Sequence, residues 1–189
     1  GKTSLLYVMA ALQEPTSGEI SFFGKSRQEH PRLELQRRMT MVFQKPMLLD
    51  LSVFENVELG LKFRGLNRRE RSTQVNHWLE KMEIAHLARR RARSLSGGEA
   101  QRVAIAQALI LDPEIVFLDE PFSNLDKEIR EELMEQINGL LRQQHITTVM
   151  VTHHRREALL MTDVIYWMED GEIVNKEMVA SGQVLAMGD

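Results

Sequence analysis

Two adjacent acids and one short basic stretch carry most of the chemistry open to this chain. Asp119 and Glu120 follow directly on Ile115-Val116-Phe117-Leu118, an apolar run with no polar break. A run so short and apolar at every position suits a strand buried on both faces of a parallel sheet. Carboxylates at the carboxyl end of such a strand stand where open α/β sheets take their ligands. At the start of the chain, Gly1-Lys2-Thr3-Ser4 reads as the second half of a phosphate loop, G-x-x-x-x-G-K-[ST]. That chemistry needs an ammonium to reach the β- and γ-phosphates, a hydroxyl for Mg²⁺, and the bare N–H groups of a helix N-terminus. Gly-Lys-Thr alone is common; the acidic strand downstream gives it weight.

These residues need elements to hold them. Leu5, Val8, Met9 and Leu12 have the spacing of a helix face, ended by Pro15 and Ser17-Gly18. Residues 18–24 predict a short strand, 25–38 a surface loop or short helix, and 39–43 a strand ending in Gln44. From Lys45 to Arg93 only helix signals appear. Ser52-x-x-Glu55 is a capping box, Gly65 a stop, and Asn67-x-x-Glu70 a second start, with Val75, Trp78, Leu79 and Met82 on one face. Ser96-x-x-Glu99 caps a further helix that Asp112-Pro113 stops. Ile129, Leu133, Ile137, Leu140 and Leu141 make one more stripe, and residues 146–152 are β-branched and apolar, a buried strand ending in His153-His154. Adjacent histidines lack the spacing of a metal-ligand pair. Val164–Met168 and Glu172–Lys176 flank Asp170-Gly171, a hairpin turn. The expected architecture is an α/β core over residues 1–44 and 94–177, an inserted helical subdomain over 45–93, and a tail over 178–189.

Bulk properties narrow the function. A chain of 189 residues supports one good core. With 43% hydrophobic and 27% charged residues the composition is that of an ordinary globular protein, and a net charge of −3 offers nucleic acid or an anionic membrane no global attraction. The absence of cysteine excludes disulfides and thiolate metal sites. No apolar run approaches the roughly 18 residues of a membrane span.

Three stretches in order carry a family resemblance. Leu95-Ser96-Gly97-Gly98-Glu99 with Gln101-Arg102 resembles the signature motif of ATP-binding cassette (ABC) ATPases, Ile115–Glu120 their Walker B strand, and Ser123-Asn124-Leu125-Asp126 their D-loop. The resemblance implies a P-loop NTPase (RecA-like) core, mostly parallel sheet, with ATP and Mg²⁺ as substrate and cofactor. It implies that Gly1, Lys2, Thr3 and Ser4 bind the phosphates, that Thr3, Gln44 and Asp119 serve the metal, and that Glu120 is the general base. Gln44 and His153 are then the Q-loop and switch residues beside the γ-phosphate. Ser96, Gly97, Gly98, Glu99 and Asp126 serve the nucleotide of a second subunit, so a homodimer is implied. Gln107 departs from the family's usual arginine and His154 from its usual acid or amide.

The same resemblance implies permease subunits in the membrane as partners, a substrate-binding protein acting through them, no nucleic acid, and a cytoplasmic position on the inner face of the membrane. Arg89–Arg93, a basic run, is read as a solvated segment or a partner contact. The wording of Ser52–Val57, Gly60-Leu61 and Arg64–Leu66 looks most like importers of oxyanions, tungstate foremost, then phosphate, molybdate and amino acids. Two other readings compete: a soluble ABC ATPase of DNA repair or translation, and a non-hydrolytic nucleotide-dependent module. The family's strand leading into the phosphate loop, and the loop's first half, do not precede Gly1 here. The expectation is a chain truncated within Walker A, with its sheet opened in the middle and a weakened nucleotide site.

Overall fold

The computed structural model describes residues 1–180 and 183–185. Helix α1 (Lys2–Met9) is followed by a two-residue ribbon, β1 (Ser21–Phe22) against β2 (Lys25–Ser26), then α2 (Arg32–Arg38) and β3 (Met39–Val42). Helices α3 (Val53–Phe63), α4 (Arg68–Lys81) and α5 (Gly97–Leu109) lead to β4 (Ile115–Asp119). Next come α6 (Lys127–Gln143), β5 (Thr147–Val151), α7 (Arg155–Met161), and the antiparallel strands β6 (Val164–Glu169), β7 (Glu172–Ala180) and β8 (Gln183–Leu185).

The strands β3, β4 and β5 form a parallel sheet in that order, with β4 in the middle. Its apolar run now has a cause. Val116 and Leu118 point into one buried cluster with α5 and α6, whereas Phe117 points into another with α1, α2 and Phe22. Both faces are covered, so alternate positions have no reason to be polar. The parallel part is smaller than expected: three strands, while the remaining five described strands are antiparallel.

Strand β5 also departs from expectation. It reads as fully buried, yet its residues are half-buried or, at Thr147, exposed. Among the described residues only β4 pairs with it, and its other edge faces a cleft of about 820 Å³. The cleft runs from Lys2 and Leu5 past Met150 and Thr152 to Val164 and Tyr166 on β6, whose one partner among the described residues is β7.

Between Lys45 and Arg93 there is no strand among the described residues, only an isolated bridge between Ser52 and Arg91. Both expected capping boxes form, at Ser52/Glu55 and Asn67/Glu70. Gly65 follows α3 with φ 79°, a left-handed turn that a side chain would strain. This helical segment shares its core with the rest: Val57, Leu79 and Met82 belong to the same cluster as Val103, Leu118 and Phe122. Two arginines of the basic run bond within the chain, while Arg89 and Arg93 stay exposed as a solvated segment would. Arg91 donates to the Asp50 carbonyl at 2.7 Å, and Arg90 to the Ser94 carbonyl at 2.7 Å.

Helix α6 buries Leu133, Met134, Ile137 and Leu141; Ile129, expected on that face, is 40% exposed and lies under Gly98 instead. The hairpin forms as read, with Asp170 and Gly171 both at positive φ, as a type I′ turn requires. Its second strand runs on to Ala180 and pairs with β8, so the stretch from 178 that reads as a tail continues the sheet; residues 181–182 and 186–189 lie outside the described residues.

Candidate nucleotide site

Four separated pieces of chain meet at the carboxyl end of the parallel sheet. Helix α1 begins at Lys2, and its second residue, Thr3, donates from Oγ1 to Asp119 Oδ1 at 3.0 Å. Asp119 ends β4 and is 4% exposed. Glu120 turns out of the strand with φ 44°, a left-handed conformation unusual for a side chain this long, and its amide donates to the Val151 carbonyl at 2.8 Å. That turn aims the carboxylate at the ends of the neighbouring strands. Gln44, two residues past β3, donates from Nε2 to Glu120 Oε2 at 3.1 Å and to Ser123 Oγ at 3.3 Å. His153, two residues past β5, places Nδ1 3.2 Å from the same Glu120 oxygen.

Two residues outside the expected set complete the group. Ser123 donates to the Glu120 carbonyl at 3.1 Å and receives the Gln44 amide, while Asn124 Nδ2 donates to the Gln44 carbonyl at 3.4 Å. The sequence places both in the 123–126 stretch, but spacing alone gives no sign that they turn back on Gln44.

The sequence-derived set is not all joined. Lys2 lines the cleft beside β5 and, among the described residues, bonds to neither Asp119 nor Glu120. Gly1 is the N-cap of α1, and Ser4 is exposed. Ser96 and Glu99 satisfy each other as a capping box, with the Ser96 amide donating to Glu99 Oε2 at 2.6 Å. That bond and the neighbouring hydroxyl hold the Glu99 carboxyl below its ordinary range. This motif touches the cluster only by packing: a Cβ on Gly97 would sit 3.7 Å from the Asn124 carbonyl, and one on Gly98 would sit 3.1 Å from Ile129 Cγ2. Asp126 is the N-cap of α6 without a side-chain bond to it.

Burial pushes the Asp119 carboxyl above the usual carboxylate range; the Thr3 hydroxyl pulls the other way and the charge of Glu120 adds to the rise. A raised folded value means that the fold favours the protonated acid. The stabilisation is full below the unfolded value and is lost as pH rises through the folded one. Asp119→Asn, permanently neutral, is therefore expected to melt higher than the parent at pH 7, with the gain gone below pH ~4. Thermal melts at the two pH values check this, and a variant that melts lower at pH 7 refutes it. An acid retained at a cost to stability is the mark of a ligand site.

The donor set suits Mg²⁺: a hydroxyl beside a buried carboxylate, both hard oxygen donors. Among the described residues no three His, Asp or Glu side chains gather into a cage. Magnesium in nucleotide sites commonly takes one or two carboxylates and completes its shell with phosphate and water, so the sparse set fits.

Comparison with known proteins gives the family and the fold. The family profile described as ABC transporter matches residues 1–123. The maltose/maltodextrin import ATP-binding protein MalK of Yersinia pestis is 41% identical over 174 residues, 92% of this chain and 47% of that protein. The Fe(3+) ions import ATP-binding protein FbpC 1 of Haemophilus influenzae is 38% identical over 178 residues, 93% of this chain and 53% of its own length. The chain thus spans about half the length of the curated relatives it matches. Among solved structures, cbiO1 of Clostridium perfringens, part of the ABC transporter complex cbiONQ, superposes with TM-score 0.84 at 29% identity, covering 93% of this chain and 72% of that one. A dimeric ATP-binding cassette in a post-hydrolysis state, bound to ADP and Pi, gives TM-score 0.85 at 32% identity, covering 96% and 82%.

Proposed function

We infer, since the chain belongs to the ABC transporter family and has the P-loop fold of its ATPases, that it binds and hydrolyses Mg-ATP as the energy-supplying subunit of a prokaryotic importer. One observation carries this: Thr3, Gln44 and His153, from three separate segments, converge on the adjacent acids Asp119 and Glu120 of a fourth.

In this reading Thr3 and Asp119 hold Mg²⁺, which supplies charge neutralisation on the phosphates. Lys2 stabilises the phosphate charge, and Glu120 takes the proton of the attacking water. Gln44 and His153 bracket Glu120 Oε2 from two sides and so fix the direction in which the base points. Such catalysis rests on positioning and electrostatics more than on covalent chemistry.

The first turn of α5 has N–H groups without intrahelical acceptors, and Gly97 is exposed there, which favours an anion brought by another molecule. We assign that anion to the nucleotide of a second copy, giving a homodimer with shared sites. The cleft between β5 and β6 supports a further strand pairing with the open edge of β5 and leading into Gly1. Phe63 and Met47, 78% and 71% exposed on the helical segment, favour a permease partner at the membrane's inner face. No described helix is long and apolar enough to cross a membrane.

Cargo is set elsewhere in such assemblies. The relatives named above import maltodextrin and ferric ion, and neither lends weight to the tungstate expectation. The test is a titration of Mg-ATP against the chain, alone and with an apolar strand and phosphate-loop half placed before Gly1. Saturable, Mg-dependent binding with phosphate release in the extended chain is expected. Neither binding nor release in that chain overturns the assignment.

A further inference from the structure

The turn that presents His153 is tied down by a side chain outside the cluster, and resting on the reading just given, we propose that Glu157 is a positioning residue for His153. Glu157 lies in the first turn of α7 and is 2% exposed, a position an acid seldom occupies without a task. Its Oε2 accepts the Thr152 hydroxyl at 2.6 Å, and the Thr152 oxygen in turn accepts the amide of His154 at 3.0 Å. Thr152 and His154 flank His153, so the two bonds close a loop around it. The turn so held carries the His153 ring, whose Nδ1 lies 3.2 Å from Glu120 Oε2.

The other oxygen of Glu157 has no hydrogen-bond partner among the described residues; it looks across a cavity of about 240 Å³ toward Arg130, whose Nη1 is 4.0 Å away. Arg130 also donates from Nη2 to the Leu125 carbonyl at 2.9 Å. Leu125 lies between Asn124, which bonds the Gln44 carbonyl, and Asp126. Glu157 thus stands between the histidine turn and the 123–126 segment. Local packing alone would not need a hydroxyl at 152: valine has the same shape and fills the same space.

The test needs no nucleotide. In the 189-residue chain labelled with ¹⁵N, the His154 amide and the His153 imidazole are followed in Thr152→Val, Thr152→Ser and Glu157→Leu. In Thr152→Val, hydrogen exchange at the His154 amide is expected to quicken roughly tenfold, the scale of one lost hydrogen bond. The Nδ1 resonance of His153 is expected to move toward that of a free imidazole. Thr152→Ser, which keeps the hydroxyl, is expected to restore both signals. If Glu157→Leu does not fold, the threonine pair decides alone. Folded Thr152→Val with parental exchange and parental His153 resonances overturns the proposal. Because the readout is independent of turnover, these changes in the 189-residue chain, together with an extended chain that neither binds nor hydrolyses ATP, sink the ATPase reading and leave the positioning role standing.

Discussion

Glu120→Gln is expected to abolish most turnover while leaving ATP bound. The substitution keeps the size of the side chain and the direction set by φ 44°, and its amide oxygen still accepts from Gln44 and His153. What disappears is the basic oxygen that takes a proton from water. General bases typically contribute about 10²–10⁴-fold, so hydrolysis should fall by roughly that factor. With the roles proposed above, binding rests on Lys2, Thr3 and Asp119 and should change little. A closed dimer that forms on ATP but cannot discharge it should then accumulate, visible as a nucleotide-dependent doubling of mass in sedimentation. The comparison belongs in the chain extended, as proposed above, with a strand and loop half before Gly1. Turnover within a few-fold of the parent would remove Glu120 from the base role.

The second large effect is on stability. Phe122 is fully buried, two residues beyond Glu120, in the cluster that joins α3, α5, α6 and Leu118. Phe122→Ala should cost about 3–5 kcal/mol, from lost transfer energy and the cavity left behind. Against a typical total of about 5–15 kcal/mol that is a large share. Urea denaturation should show a lower midpoint with an unchanged slope. Phe122→Leu, which refills most of the space, should cost far less. The alanine loss also reaches the site, because Ser123 hangs from the same turn and receives the Gln44 amide. A loss below about 1 kcal/mol would show that the surrounding helices collapse into the gap.

The local elements were readable because each follows from neighbouring residues. Ser52, Asn67 and Ser96 name three helix starts through side chains that bond backbone three residues on. Asp170-Gly171 names its turn by tolerance of positive φ. The apolar run before Asp119 names a central strand, since alternate residues enter clusters on opposite faces. Motif order supplied the candidate site before any coordinates, for the reason that residue type and spacing at a strand end or helix start are local properties too.

Other features came only with the fold. Thr3 and Asp119 are 116 positions apart, and nothing local says that a hydroxyl of α1 meets an acid of β4. Half-burial of β5 was invisible for the opposite reason: β-branched, apolar residues read as a buried strand whatever lies beside it, whereas among the described residues the fold pairs one edge. Ile129 fits a helical stripe, yet the close approach of Gly98 decides where it goes. The bond from Gln44 to Ser123 joins segments whose separation in sequence carries no periodic signal. Composition and spacing determine which groups are available and which elements carry them. Long-range packing alone decides which of those groups touch, because contact depends on how strands and helices stack, and that is settled by the whole core at once.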